Sequence, residues 1–343
     1  MMELREFATY REIKSQTEAW SQALDVVNAS RLAIPKAGDY DQVLFTGCGS
    51  TYYLSLAAAA LYQELTGCAA RAVPASELLF NSQIIVQNGN LNYLLVAVSR
   101  SGTTTETIKA VEKFKAEQRG DVLVISNSDE ALSRLANVRL VIDEGQEVSV
   151  AQTRSFASMY VAASAFCAIT AGREDLLEAM EKLPEAGDRL IGNYETLAKD
   201  IGEEMSYDRF YFLGSGIRYG LACEANLKMK EMTLTHSEPF HFLEFRHGPM
   251  SMVNQNTVLL GLLSDANRVQ EEKVLSEMAA LGGRVTRLGE SDAEVCFESG
   301  IPESVRCVLY LPVLQLMAYY RSLAKGLNPD RPTNLTAVVK LTL

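Results

Sequence analysis

The sequence predicts an α/β protein made of two tandem doubly wound parallel-sheet domains, each with three α/β/α layers. Three observations carry this expectation. Short apolar runs at 43–46 and 93–98 each end in a turn rich in Gly, Ser or Thr and are followed by helical spacing. That strand–turn–helix order then recurs. The turn Gly47-Cys48-Gly49 also returns as Gly214-Ser215-Gly216 after another apolar run at 210–213. A length of 343 residues suits two domains better than one.

Taken in order, residues 3–33 place apolar side chains at helical spacing, so 1–38 is expected to be an N-terminal helical segment. The first domain is expected over 39–172, with strands at 43–46, 93–98, 122–125 and 138–142 and helices at 52–65, 105–118 and 130–136. Helical segments at 150–172 and 174–205 follow, those over 173–204 connecting the domains. The second domain, 205–343 with a C-terminal tail, has strands at 210–213, 258–262 and 284–288 and a helical segment at 303–325. Setting Phe45 against Phe212 superimposes the two Gly-x-Gly turns and places Gln63-Glu64 opposite Lys230-Glu231, evidence of an internal duplication.

Composition excludes several classes. A net charge of −11 and a pI near 5.0 disfavour a nucleic-acid partner, so an anionic ligand has to be held by a local site. The first residues lack the charged-then-apolar order of a secretory signal. The longest apolar stretch, 307–320, contains Pro312 and is bounded by Arg306 and Arg321, too short for a bilayer. A cytoplasmic protein with no membrane partner is expected. The six cysteines form no C-x-x-C pair and read as buried free thiols. His236, His241 and His247 share one stretch without the Cys or carboxylate spacing of a zinc site, so neither a metal nor a cofactor is expected.

Ser99-Arg100-Ser101-Gly102-Thr103-Thr104 stands where a strand gives way to a helix. Helix starts expose unpaired N–H groups and the positive end of the dipole, and hydroxyls add neutral donors around an anion. Ser50 and Thr51, after the first strand, and Ser126-Asn127-Ser128, after a third, are expected to face the same polar cleft. Helix capping is the competing reading of such hydroxyls. The second half reads Leu262-Leu263-Ser264-Asp265 at the matching strand end, with a carboxylate where phosphate would sit. One phosphate site per chain is therefore expected, in the first half.

Glu224, Lys228 and Glu231 follow at intervals of four and three residues, on one helical face mixed with Leu221, Ala225 and Met232. Partial burial would make such carboxylates tunable acids and bases, whereas a surface salt-bridge ladder is the bland alternative. Residues 236–249, dense in His, Glu, Arg and aromatics and closing on Gly248-Pro249, read as an active-site loop.

These motifs, with Glu147 to Phe156, Glu244 to Pro249 and the tail Asn328-Pro329-Asp330-Arg331-Pro332-x-Asn334-Leu335, resemble the double sugar-isomerase (SIS) domain proteins. The resemblance is to the isomerase half of glutamine–fructose-6-phosphate aminotransferase and to stand-alone glucosamine-6-phosphate deaminases. It implies that Ser50, Thr51, Ser99, Arg100, Ser101 and Thr104 hold a sugar phosphate, with Glu147 and Gln152 in the sugar pocket. It makes Glu231 the carboxylate that moves a proton between C1 and C2, Lys228 its stabilising neighbour, and His247 a ring-opening group from a neighbouring subunit. A homodimer with shared active sites is the implied assembly.

Two positions depart from the family pattern. Ala337 replaces a lysine two residues after the tail's Asn-Leu, with Lys340 the nearest lysine, and Gln152 replaces a small hydroxyl residue. Residue 2 is Met, so no N-terminal cysteine is expected to release ammonia from glutamine. The expected reaction is conversion of glucosamine 6-phosphate to fructose 6-phosphate and ammonia. A fructosamine-6-phosphate deglycase, acting for example on fructoselysine 6-phosphate, and a non-catalytic sugar-phosphate sensor are the alternatives.

Overall fold

The computed structural model describes residues 7–86, 91–339 and 341. The start of the N-terminal segment and Lys340 lie outside the described residues. Along the chain run α1 (Ala8–Lys14), α2 (Gln16–Ala29), β1 (Gln42–Gly47), α3 (Ser50–Thr66), β2 (Ala70–Pro74), α4 (Ala75–Phe80), α5 (Ser82–Ile85), β3 (Tyr93–Ser99), α6 (Thr105–Ala116), β4 (Gly120–Ser126), β5 (Val138–Val141) and α7 (Arg154–Thr170). There follow α8 (Glu174–Met180), α9 (Leu183–Asn193), α10 (Glu195–Glu203), β6 (Arg209–Leu213), α11 (Ile217–Thr233), β7 (His236–Phe240), β8 (Thr257–Leu262), α12 (Arg268–Ala280), β9 (Arg284–Gly289), β10 (Val295–Cys296) and α13 (Leu311–Ala324). Two compact units result: one takes 15–147, 154–181 and the tail from Thr336, the other takes the chain up to Lys14, 148–153 and 182–335.

The first unit holds a five-stranded parallel sheet in the order β2-β1-β3-β4-β5. Successive strand residues face opposite sides, and both sides are apolar. Leu44, Leu95, Ala97, Val122 and Val124 pack with Leu78 of α4 and with Ala110, Val111 and Phe114 of α6. On the other side, Phe45 meets Tyr62 of α3 at 6.1 Å and Phe166 of α7 at 6.3 Å between ring centroids. Helices therefore cover both faces, and each large side chain withdrawn from water contributes about 1.5–3 kcal/mol.

The second unit holds another five-stranded parallel sheet, β10-β9-β8-β6-β7. Read from β7, this is the same order as the first sheet. Tyr211, Leu213 and Leu259 pack with Val274, Leu275 and Met278 of α12 on one face, while Leu260 and Leu288 lie with Ile201 of α10 and Met317 of α13 on the other.

The N-terminal segment divides differently from the single stretch 1–38 expected. Asp330 accepts the N–H groups of Ala8 at 2.9 Å and Thr9 at 2.8 Å, so a tail carboxylate caps α1 in the second-sheet unit. From Ser15 on, α2 belongs to the unit of the first sheet, packed on α7. The helices over 182–203 likewise belong to the second-sheet unit, and the tail from Thr336 to the first.

Three strands escaped the sequence reading: β2, β7 and β10, each an edge strand. His236–Phe240, read as the start of a loop, is the strand β7, paired parallel to β6. Its Pro239 is tolerated because an edge strand leaves one side of its backbone unpaired. The helix expected over 130–136 shrinks to a 3-10 turn, Ser133–Leu135. The six cysteines are free, but only Cys167, Cys223 and Cys307 are fully buried. Among the described residues, no helix is long and apolar enough to cross a membrane, and no group of His, Cys, Asp and Glu could hold a metal ion.

Candidate functional site

In a parallel sheet of this order the chain leaves β1 and β3 toward opposite edges, and the crevice outside their carboxyl ends is where such folds take ligands. The structure places Ser50 and Thr51 after β1 and the 99–104 loop after β3, adjacent strands paired from Gln42↔Tyr93 to Thr46↔Ala97. The turn after β1 needs its glycines. A side chain on Gly47 would come within 2.5 Å of Thr51 Oγ1, and Gly49 has φ +57°.

The 99–104 loop curls on its own hydroxyls. Gly102 N–H donates to Ser99 Oγ at 3.2 Å, Thr103 N–H to Ser101 Oγ at 3.2 Å, and Ser99 and Thr104 hydroxyls stand 3.5 Å apart. Gly102, at φ +63°, lies against Ser128 and Glu130 and makes the turn. Ser99 is buried, whereas Ser101, Thr103 and Thr104 are half-buried at the start of α6. Hydroxyls, helix dipole and first-turn N–H groups thus stand together at the start of α6.

Other nominated residues are engaged elsewhere. Thr51 Oγ1 accepts Cys48 N–H at 2.9 Å and donates to Cys48 C=O at 3.0 Å, so its hydroxyl braces the turn. Ser126 and Asn127 are also internal: Ser126 Oγ donates to Ser128 C=O at 3.0 Å, and the Asn127 amide donates to Ile142 C=O and Ser158 Oγ. At these two turns the capping reading describes the contacts. Ser50 is buried at the first position of α3.

Arg100 reaches Glu147 at 3.5 Å through Nη1 and the carbonyl of Ala337 at 2.9 Å through Nη2. The Glu147 side chain is fully buried and also takes the hydroxyl of Ser155. The pair therefore fastens the tail beside the loop, a role with no signature in sequence because the three residues are so far apart. Gln152 is half-buried in the 148–153 segment.

In the second-sheet unit, α11 begins after Gly214-Ser215-Gly216 with the same geometry as α3. Gly216 has φ 58° and ψ −130°, Gly49 φ 57° and ψ −123°, and both helices run 17 residues. On α11, Lys228 is 1% exposed, with its Nζ 3.3 Å from Glu224 Oε1 and 2.5 Å from Glu231 Oε2. Glu224 is as deeply buried, while the Glu231 side chain keeps 20% of its surface. The surface-ladder reading fails here, because a buried ammonium joins a buried carboxylate to one that still meets solvent.

The histidines stand apart from that cluster. His247 is exposed, at the end of the 3-10 turn Glu244–Arg246, and its N–H donates to Glu244 C=O at 2.9 Å. Its ring makes no hydrogen bond among the described residues, so the structure does not join it to Glu231 within this chain. His241 stacks on Tyr219 at 4.0 Å, and burial lowers its pKa. His236 and Lys230 line a polar cleft with Arg209 and Glu238 at the amino ends of β6 and β7, away from the carboxyl-end loops.

Residues 39–169 match the SIS domain. The chain is 30% identical over 336 residues to the isomerizing glutamine–fructose-6-phosphate aminotransferase of Sulfolobus acidocaldarius, covering 96% of this chain and 54% of that protein. The Methanothermobacter thermautotrophicus enzyme of the same name is 26% identical over 339 residues, covering 95% and 55%. This chain thus spans about half the length of the curated relatives it matches. Among solved structures it is similar to glucosamine-6-phosphate deaminase from Thermotoga maritima, with a TM-score of 0.82, 25% identity and coverage of 97% of this chain and 100% of that one. It shares its fold with the Escherichia coli tagatose-6-phosphate ketose/aldose isomerase at a TM-score of 0.85, 22% identity and 95% coverage of both chains. The carboxyl-end hydroxyl loop lies inside the segment that matches the SIS domain, and over nearly all its length the chain is similar to part of the isomerizing glutamine–fructose-6-phosphate aminotransferases.

Proposed function

We propose that this chain is a phosphosugar aldose–ketose isomerase of the deaminase type, converting glucosamine 6-phosphate to fructose 6-phosphate and ammonia. Its second sheet is taken to be a second SIS domain in tandem with the first. The observation that carries the reading is the α11 cluster, a half-exposed carboxylate held at 2.5 Å by a buried lysine. In the open-chain substrate, Glu231 removes the C2 proton and returns it to C1. With one proton passing from the amine to O1, the C1 aldehyde becomes a hydroxymethyl group and C2 an imine, which water hydrolyses to the ketone and ammonia. Lys228 holds Glu231 in place for that transfer.

The ester group is anchored by Ser99, Ser101 and Thr104, with the α6 N–H groups behind them. Ser50 joins them from the neighbouring strand end. Thr51 and Arg100 act through positioning, bracing the turn and the tail. Ala337 presents its backbone carbonyl to Arg100 and has no amine for a Schiff base, which favours hydrolytic release of ammonia over transfer of an amino group. His247 opens the ring from a second copy in a cytoplasmic homodimer.

Purified protein incubated with glucosamine 6-phosphate is expected to yield fructose 6-phosphate and ammonia in equal amounts. Turnover of fructoselysine 6-phosphate in place of glucosamine 6-phosphate would move the assignment to a deglycase. Binding of both without turnover would make the chain a sensor.

A further inference from the structure

The carboxyl end of the second sheet repeats the construction of the first. The Gly-x-Gly turns match at an interval of 167 residues (214 − 47 and 216 − 49), which sets Thr51 against Arg218. Equivalent pairs in strand register, Thr46↔Ala97 and Leu213↔Gly261, set Ser101 and Gly102 against Asp265 and Ala266. Where the first half offers a seat for an ester, the second already holds an anion. It is not Asp265, as the sequence suggested, since that carboxylate turns to Arg306.

The anion is Glu303. Its Oε2 accepts the N–H of Asp265 at 3.0 Å and of Ala266 at 3.4 Å, and its Oε1 lies 2.5 Å from Arg218 Nη1. Arg218 is 6% exposed, and its Nε is buried without a hydrogen-bond partner among the described residues. Two successive backbone N–H groups with a buried guanidinium behind them form a cradle for a tetrahedral oxyanion. A carboxylate supplies two oxygens to it, and the idle Nε shows donor capacity that two oxygens leave unused. Asp265 and Ala266 are exposed, so the cradle opens to solvent. In the first half the carboxylate at the matching place behaves otherwise: Glu147 lies six residues past the end of β5, as Glu303 lies seven past β10, but it is turned to Arg100 and Ser155.

We propose that the carboxyl end of the second sheet is an oxyanion seat of the same kind as the first, kept shut by Glu303 acting as a tethered ligand, and that a phosphate group enters when this carboxylate is removed. The inference rests on the geometry of the second half and is independent of the substrate assigned above. Glu271, whose Oε2 accepts Ser264 N–H at 2.6 Å, stays beside the opened seat and makes its affinity for a phosphate weak.

Equilibrium dialysis of the full chain against radiolabelled inorganic phosphate tests this. Glu303→Ala is expected to bind one phosphate per chain more than wild type, and adding Arg218→Gln is expected to abolish the gain. A folded Glu303→Ala protein that gains nothing, or a gain that survives Arg218→Gln, overturns the proposal. Should Glu303→Ala not fold, the isosteric Glu303→Gln replaces it, read by thermal denaturation with and without phosphate. A larger phosphate-dependent rise in Tm than wild type supports the seat, because only the folded state offers the site. An equal rise overturns it.

Discussion

Lys228 Nζ lies 2.5 Å from Glu231 Oε2 and 3.3 Å from Glu224 Oε1, so one buried ammonium serves two carboxylates of unequal exposure. The proposed reaction assigns proton exchange with the substrate to the more exposed one, Glu231. Glu231→Gln keeps the side-chain shape and its acceptor oxygen but removes the base. Turnover of glucosamine 6-phosphate is expected to fall by about 10²–10⁴-fold, the usual contribution of a positioned acid–base group. Binding of the substrate, measured by calorimetry, is expected to persist, and unchanged turnover would remove Glu231 from the chemistry.

The same geometry predicts a stability effect. Lys228→Met removes the ammonium shared by Glu231 and Glu224, the latter 1% exposed, and breaking a buried pair in this way costs about 3–5 kcal/mol. Chemical denaturation should show that loss, and adding Glu224→Gln and Glu231→Gln should recover most of it. A Lys228→Met protein as stable as wild type would mean that the two carboxylates do not depend on the ammonium.

Much of this was legible in the sequence because the central strands are uniformly apolar and the glycine turns have a fixed cause. Every residue of β3 is buried, and Gly47 and Gly214 are required by the close approach of the following helix. Edge strands were not legible. β2 carries Arg71 and β7 carries His236, Glu238 and Pro239, since strands paired on one side tolerate polar residues. The 99–104 hydroxyls stand at a strand end as the sequence predicts, but that the Thr51 and Ser126 hydroxyls also brace their own turns was not legible, because a hydroxyl that caps a turn and one that binds an ester have the same sequence. Pairs such as Arg100 with Ala337 and Arg218 with Glu303 leave no local pattern at all.

Arg100 gives a prediction that separates positioning from ligand binding. Its guanidinium links the buried side chain of Glu147 to the carbonyl of Ala337. Arg100→Gln is expected to speed amide hydrogen exchange over 336–339 and to raise KM more than it lowers kcat. Glu147 keeps the hydroxyl of Ser155, so the stability loss should stay near 1–3 kcal/mol. Exchange unchanged over the tail would show that Arg100 does not fasten it.

Glu271 sets a pH dependence. Burial raises its pKa above the usual carboxyl value, and the Ser264 N–H and Arg218 only partly offset this. The folded state therefore holds the proton more tightly than the unfolded chain does. That contribution is complete below the unfolded pKa and is lost as pH rises through the folded value, so near pH 7 the folded protein carries a buried charge at a cost. Glu271→Gln still accepts from Ser264 through its amide oxygen and never ionises. Its stability at pH 7, followed as Tm, is expected to exceed that of wild type. The advantage should shrink as pH falls toward 4 and vanish below it. A variant less stable at pH 7, with the gap closing in acid, would mean that attraction to Arg218 outweighs burial at this carboxylate.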